Sequence, residues 1–248
     1  MAHPAPPLSD QVHTYPDRMI KACLNGDRTR AEHPGVPITP AELAEAAAAA
    51  VQAGADALHI HPRGADERES LHWPDLRAAV EAVQTACPGV PLGVSTREPI
   101  VPDLTERLRL IAEWYPGPDF ASVNFHEPGA AQVADLLLSR GIAVEAGLFT
   151  AQAAATYLAW SGPTHRILIE AIPGISPGPD GPTAAQSILA ALPATNTPIL
   201  VHGESHWTWP TLHWARSQAH HLRLGLEDTL TTPTGEPATS TAHLLSLL

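Results

Sequence analysis

Eight short apolar runs, each separated from the next by a helix-like stretch, constrain this chain more than any other feature of its sequence. The runs are Met19–Asn25, Ala55–His61, Pro91–Arg97, Phe120–Phe125, Ala143–Phe149, His165–Ile172, Pro198–Glu204 and His221–Glu227. They are rich in Val, Ile and Leu, as expected of strands covered on both faces, and most end in a polar residue. Helix candidates fill the gaps. The first opens at Thr39-Pro40-Ala41-Glu42, where Thr39 caps, Pro40 suits the first turn and Glu42 completes a capping box. Alanines carry it to Gln52, and Gly54 can end it. The others are Pro74–Ala86, Leu104–Trp114, Ala130–Arg140, Ala151–Trp160, Thr183–Leu192, Trp209–Ala219 and a last one from Ala238. Strands that alternate with helices must run parallel, because only a long crossover returns the chain to the same end of the sheet. Eight repeats of about 28 residues predict a closed (β/α)8 TIM barrel. An open doubly wound sheet is the alternative, weakened by the lack of a G-x-G-x-x-G after the first run.

The 248 residues suit one such domain, expected over 19–248, behind a loose, Pro-rich segment at 1–18. No apolar stretch near about 20 residues suggests a membrane span, and the N-terminus has no signal-peptide centre, so a cytoplasmic location is expected. The formal net charge of −12 disfavours nucleic acid, whose phosphates require clustered Lys and Arg. Cys23 and Cys87 are isolated and read as packing residues.

In a barrel of this kind the active site forms at the C-terminal ends of the strands. Ionisable and polar residues gather there: Asn25 and Asp27; His59, His61 and Arg63; Ser95, Thr96 and Arg97; Ser122 and Asn124; Glu145; Glu170; His202 and Glu204; Arg223, Glu227 and Asp228. A barrel serving only as a scaffold has no need of them. Within Leu58-His59-Ile60-His61, strand alternation turns both imidazoles to one face and the aliphatic pair outward. Two such imidazoles chelate a divalent cation, or serve as satisfied core histidines. The eighth run closes against the first, so Glu227 can approach them. Two His and one carboxylate form an established zinc set, although iron or manganese also fits. Glu227 could instead pair with Arg223, and His202 or Glu204 could supply a ligand in its place. Glu145 and Glu170 read equally as substrate contacts or as partners of arginines. Lys21, the only lysine, falls at the start of the first strand, the wrong end for a Schiff base, so any carbon–carbon chemistry needs a metal as electron sink.

Four motifs in order resemble the β-keto acid cleavage enzymes typified by 3-keto-5-aminohexanoate cleavage enzyme. They are Pro37–Ala44, Ala53-Gly54-Ala55 with His59-Ile60-His61-Pro62-Arg63, Ser122–Phe125, and Arg223-Leu224-Gly225-Leu226-Glu227-Asp228. The resemblance implies a zinc-bearing barrel, a homo-oligomer (dimer or tetramer), with His59, His61 and Glu227 as ligands. It implies an acyltransferase that converts a 3-keto acid and acetyl-CoA into acetoacetate and a new acyl-CoA. By the same resemblance Asp228 belongs to the base machinery, Arg223 assists it electrostatically, and Asp27 stands where the family has an acid after the first strand. Ser95, Ser122 and Asn124 hold the substrate carboxylate, and Glu145 reads the substrate's far end. A metal-dependent lyase or hydrolase acting without CoA, and a non-catalytic binding barrel, are the competing readings. Strict alternation turns Asp228 away from Glu227, so the last strand must end or bulge between them if both serve.

Overall fold

The computed structural model describes residues 18–248. The expectation for the N-terminal segment therefore lies, Arg18 apart, outside the described residues. Eight parallel strands close in sequence order, with β1 hydrogen-bonded to both β2 and β8. They are β1 (Ile20–Cys23), β2 (Ala57–Ile60), β3 (Leu92–Ser95), β4 (Phe120–Asn124), β5 (Ala143–Leu148), β6 (Arg166–Ala171), β7 (Ile199–Gly203) and β8 (His221–Leu224). The surrounding helices are α1 (Pro40–Gln52), α2 (Trp73–Ala86), α3 (Leu104–Ile111), α4 (Ala130–Ser139), α5 (Ala151–Trp160), α6 (Gly181–Leu189), α7 (Thr208–Ser217) and α8 (Thr241–Leu245). This is the (β/α)8 barrel, and the open sheet is excluded by the β1–β8 pairing. No helix among the described residues is long and apolar enough to cross a membrane.

Local chemistry explains where elements begin. The Thr39 hydroxyl accepts from the Glu42 amide at 3.3 Å, and the Glu42 carboxylate accepts from the Thr39 amide at 2.9 Å, the reciprocal box expected of the sequence. Asp103, Thr150, Asp180 and Ser240 cap α3, α5, α6 and α8 in the same way from one side. Strand ends are the main correction. Every predicted strand except the fourth, fifth and eighth is trimmed at both ends, those three lose residues only at the C-terminal end, and His61, Arg97, Glu204 and Glu227 lie past the ends of their strands. An apolar run shows which residues are buried; it does not show where the neighbouring strand stops pairing.

Alternation then divides the side chains. Leu58, Ile60, Val94, Val144, Ile167, Ile169 and Leu224 face outward and join the continuous layer between sheet and helices. Inside the barrel the fully apolar cluster is small: Met19, Ala57, Leu168 and Leu200. The remaining interior is polar, and it separates into two charged levels. The lower holds Lys21, Glu145 and Arg166, each at most 1% exposed. Glu145 is bonded to Lys21 and accepts from Arg166 Nε at 2.6 Å, while the Arg166 guanidinium lies 5.0 Å from the Phe120 ring centre. Phe120 reaches across the interior because β3 offers Gly93, where a Cβ would fall 2.1 Å from its ring. The upper level is the candidate site.

Candidate active site and metal centre

A cavity of about 330 Å³ opens at the C-terminal ends of the strands. His59, His61, Glu227, Asp228, Arg223, Asp27, Ser95, Ser122 and Asn124 all line it, so nine of the ten residues to which the resemblance gives a role are brought together. Glu145 is not among them. It sits on the lower level, fully buried, with its carboxylate engaged by two cations, which is the arginine-holding arrangement and leaves it no face toward the cavity. Lys21 is held there too, far from any Schiff-base role at the mouth.

His59 and His61 converge as alternation requires, with their Nε2 atoms 3.1 Å apart. Glu227 Oε1 lies 3.5 Å from His61 Nε2, and ligand atoms from all three residues fall within 4.8 Å of one another. The route of Glu227 to this point differs from a simple extension of the strand face. β8 stops at Leu224, and the chain turns, with the amides of Asp228 and Thr229 both bonding the Gly225 carbonyl. That turn swings Glu227 and Asp228 to the same cavity and removes the tension between them. Two glycines make it sterically feasible. At Gly225 a Cβ would lie 1.8 Å from the Cys23 carbonyl oxygen, and at Gly26, with φ +53°, it would lie 2.4 Å from Glu227 Cγ.

The residues fit a bound cation on several counts. His61 Nδ1 contacts Glu69 Oε1 at 2.5 Å, the arrangement typical of a ligating imidazole, and its Nε2 faces Glu227 and His59. Burial opposes protonation of His61, but Glu227 and Glu69 outweigh it and raise its pKa, so a cation would take the place of a proton there. Burial pushes the His59 imidazole well below its usual pKa, so it is neutral, the form that ligates. Glu227 pairs with Arg223 Nη2 at 2.5 Å through Oε1, yet its Oε2 is buried with no hydrogen-bond partner among the described residues. The ion pair and the ligand reading are thus both accommodated by one carboxylate. Five carboxylates line the cavity (Asp27, Glu170, Glu204, Glu227 and Asp228) against two arginines, a local excess of negative charge that a divalent cation would offset. Neither His202 nor Glu204 joins the three-residue cluster.

Asp228 is fully buried and held through Oδ1 by Arg223 Nε at 3.0 Å and Nη2 at 2.9 Å, with Oδ2 lacking a partner. His202 stands between it and Glu170, 3.2 Å from a carboxylate oxygen of each. Burial and the Arg223 charge oppose protonation of His202, but Asp228 and Glu170 outweigh them and raise its pKa. Asp27 is exposed and receives Arg97 Nη2 at 3.0 Å, and the same nitrogen reaches Glu69 Oε2 at 2.7 Å. Asn124 donates to Glu127 Oε1 at 2.8 Å, so one of its two amide N–H donors is already occupied.

Glu69 is the residue that sequence reasoning missed. It lies in the β2–α2 loop, eight residues beyond its histidine, where no periodicity marks it. Its one local sign is its nearness to the H-x-H pair. Arg166 was also overlooked, hidden as the first residue of β6.

The sequence model of the beta-keto acid cleavage enzyme family matches residues 18–247. The chain is 35% identical over 79 residues to the 3-keto-5-aminohexanoate cleavage enzyme of Fusobacterium nucleatum, a stretch covering 32% of this chain and 29% of that protein. It is 34% identical over 79 residues to the 3-oxoadipate:acetyl-CoA acetyltransferase of Cupriavidus necator, covering 32% and 28%. The matched stretches thus span less than a third of either curated relative. Among solved structures, a ternary complex of ObcA with a C4-CoA adduct and oxalate superposes with a TM-score of 0.66 at 18% identity, over 86% of this chain and 63% of that one.

Proposed function

The chain belongs to the beta-keto acid cleavage enzyme family, and from that premise we propose that it exchanges the acyl group of a 3-keto acid with acetyl-CoA, using zinc held by His59, His61 and Glu227. The products are acetoacetate and a new acyl-CoA. The observation that carries this reading is the convergence of those three residues with the Arg223–Asp228 pair in one cavity.

Bound there, the cation would polarise the keto oxygen and acidify the neighbouring CH2, as a Lewis acid does. Asp228 is the base. Arg223 occupies its Oδ1, so the unpartnered Oδ2 takes the C2 proton and later returns it. The carbanion acylates itself on the acetyl thioester and expels CoA thiolate. The thiolate then adds to the original keto carbon, the C2–C3 bond breaks, and acyl-CoA separates from acetoacetate. Ser95 and Ser122 serve the substrate carboxylate. The Ser95 oxygen accepts only from the Arg97 amide, at 3.3 Å, which leaves its hydroxyl proton free to donate. Arg97 ties Asp27 to Glu69 and so positions the loop that orients His61.

The test is a panel of 3-keto acids incubated with acetyl-labelled CoA thioester and purified, metal-analysed protein. Label should appear in acetoacetate only when both substrates are present, with about one zinc per chain expected from the three-ligand set. Cleavage that proceeds without any thioester would replace this reading with a metal-dependent lyase or hydrolase.

A further inference from the structure

Glu170 has one oxygen that the catalytic arrangement does not use. Its Oε2 faces His202 Nε2 at 3.2 Å and Arg223 Nη1 at 3.8 Å. Its Oε1 is buried without a hydrogen-bond partner among the described residues, on a side chain only 8% exposed that lines the cavity. An unpaired carboxylate oxygen in such a place is costly unless something donates to it.

A second acceptor points to the same spot. Because Asn124 commits its amide nitrogen to Glu127, its carbonyl oxygen turns toward β5. A Cβ built on Gly147 would lie 2.5 Å from Glu170 Oε1 and 2.8 Å from Asn124 Oδ1, so both oxygens crowd the point where β5 leaves out a side chain. Among the described residues no hydrogen bond reaches Glu170 Oε1. Phe149, Ile172 and Ile175 form the apolar wall of the same cavity. The two arginines that line the cavity, Arg223 and Arg97, are already engaged by carboxylates.

The geometry points to a substrate subsite made of Glu170 Oε1 and Asn124 Oδ1, in the cavity that Phe149 and Ile172 also line, that takes a cationic hydrogen-bond donor, an ammonium, on the side chain of the keto acid. This rests on the cavity being the keto acid site. It separates two chemistries found among the relatives, an amine-bearing keto acid and one ending in a second carboxylate. Two acceptors without a donor would repel the latter and satisfy the former. In this chain Glu170 thereby takes the far-end role that the resemblance gave to Glu145, whose carboxylate is spent below.

Three chain-matched 3-keto acids test it, ending in an ammonium, a methyl or a carboxylate. Their binding to the metal-loaded protein is measured by calorimetry, alongside acetyl-CoA-dependent turnover. The ammonium compound should bind at least about tenfold more tightly than the methyl one, the discrimination expected of a charge-assisted bond to a buried acceptor. Glu170→Gln should shrink that ratio to about threefold or less. Gly147→Ala, which drives a methyl between the two oxygens, should shrink it as well. Equal or tighter binding of the methyl or carboxylate compound, a preference that survives Glu170→Gln, or no binding of any of the three overturns the subsite. An ammonium preference that disappears in Glu170→Gln, with no acyl exchange for any compound, upholds the subsite and rejects the reaction proposed above.

Discussion

The two charged levels inside the barrel are built from the same residue types and do opposite things. The floor has one carboxylate, Glu145, between two cations, Lys21 and Arg166, all sealed from solvent and completed by the Phe120 ring. The mouth has carboxylates in excess of arginines, and Glu170, Glu227 and Asp228 each keep one buried oxygen with no hydrogen-bond partner among the described residues. Charge at the floor is compensated internally, so the floor holds the strands in place. Charge at the mouth is left incomplete, as the proposed cation and substrate would require. What separates the two levels is how far their hydrogen-bond and charge requirements are met within the chain.

Several experiments would sharpen or break that division. The largest effect belongs to the ligand set. His61→Ala or Glu227→Gln should eliminate bound metal and lower acyl exchange by at least about a thousandfold, since Lewis-acid catalysis is worth several kcal/mol, while cooperative unfolding persists. Metal retained in either variant removes that residue from the set. At the floor the outcome should reverse. Glu145→Gln leaves two buried cations with too little compensation and should destabilise the fold by about 3 kcal/mol in denaturant titrations, with metal affinity unchanged in the folded fraction. A stable Glu145→Gln variant with impaired turnover would instead place Glu145 in the site.

Glu69→Gln acts on the mouth at one remove. It should weaken metal affinity by about ten- to a hundredfold, the usual loss when the partner of a ligating histidine is removed, with the chelator titration as readout. Arg223→Lys should retain the metal and slow turnover about tenfold, because a lysine cannot bridge Glu227 and Asp228 with a planar fork. Wild-type rates would deny Arg223 its part.

The smallest effect is on acid stability. Burial raises the Glu145 pKa, but Lys21 and Arg166 outweigh it, and the net shift is strongly downward. A carboxyl whose folded pKa lies below its unfolded one stabilises the fold above the unfolded value, near pH 4.3, and that contribution fades as pH falls toward the folded value. The stability gap between wild type and Glu145→Gln should therefore be full at neutral pH and narrow below about pH 4. A gap that widens in acid would mean that Glu145 is not held ionised by its neighbours.

The H-x-H pair was legible in the sequence because two residues on one strand face need only local geometry to converge. The capping box at Thr39 and Glu42 was legible for the same reason. Glu69 was not, since a loop residue carries no period and its role appears only when the β2–α2 loop folds back over His61. Glu145 was misleading. On the strand it occupies an inward position like Ser122, its register partner, yet inward does not say how deep. Depth follows from the stagger of neighbouring strands, and that stagger sets Glu145 against Arg166 instead of the cavity.

The sequence by itself determined the number and order of strands and helices, the outward aliphatic faces, and the family to which the chain belongs. All of these rest on patterns a few residues long, repeated along the chain. Tertiary structure alone decided which charges complete one another and which stay open. Lys21 meets Glu145 across 124 positions, and Arg223 meets Asp228 only because β8 stops and turns at Gly225. Such pairings depend on barrel closure and strand shear, which bring distant side chains to one height, and no local pattern encodes that height.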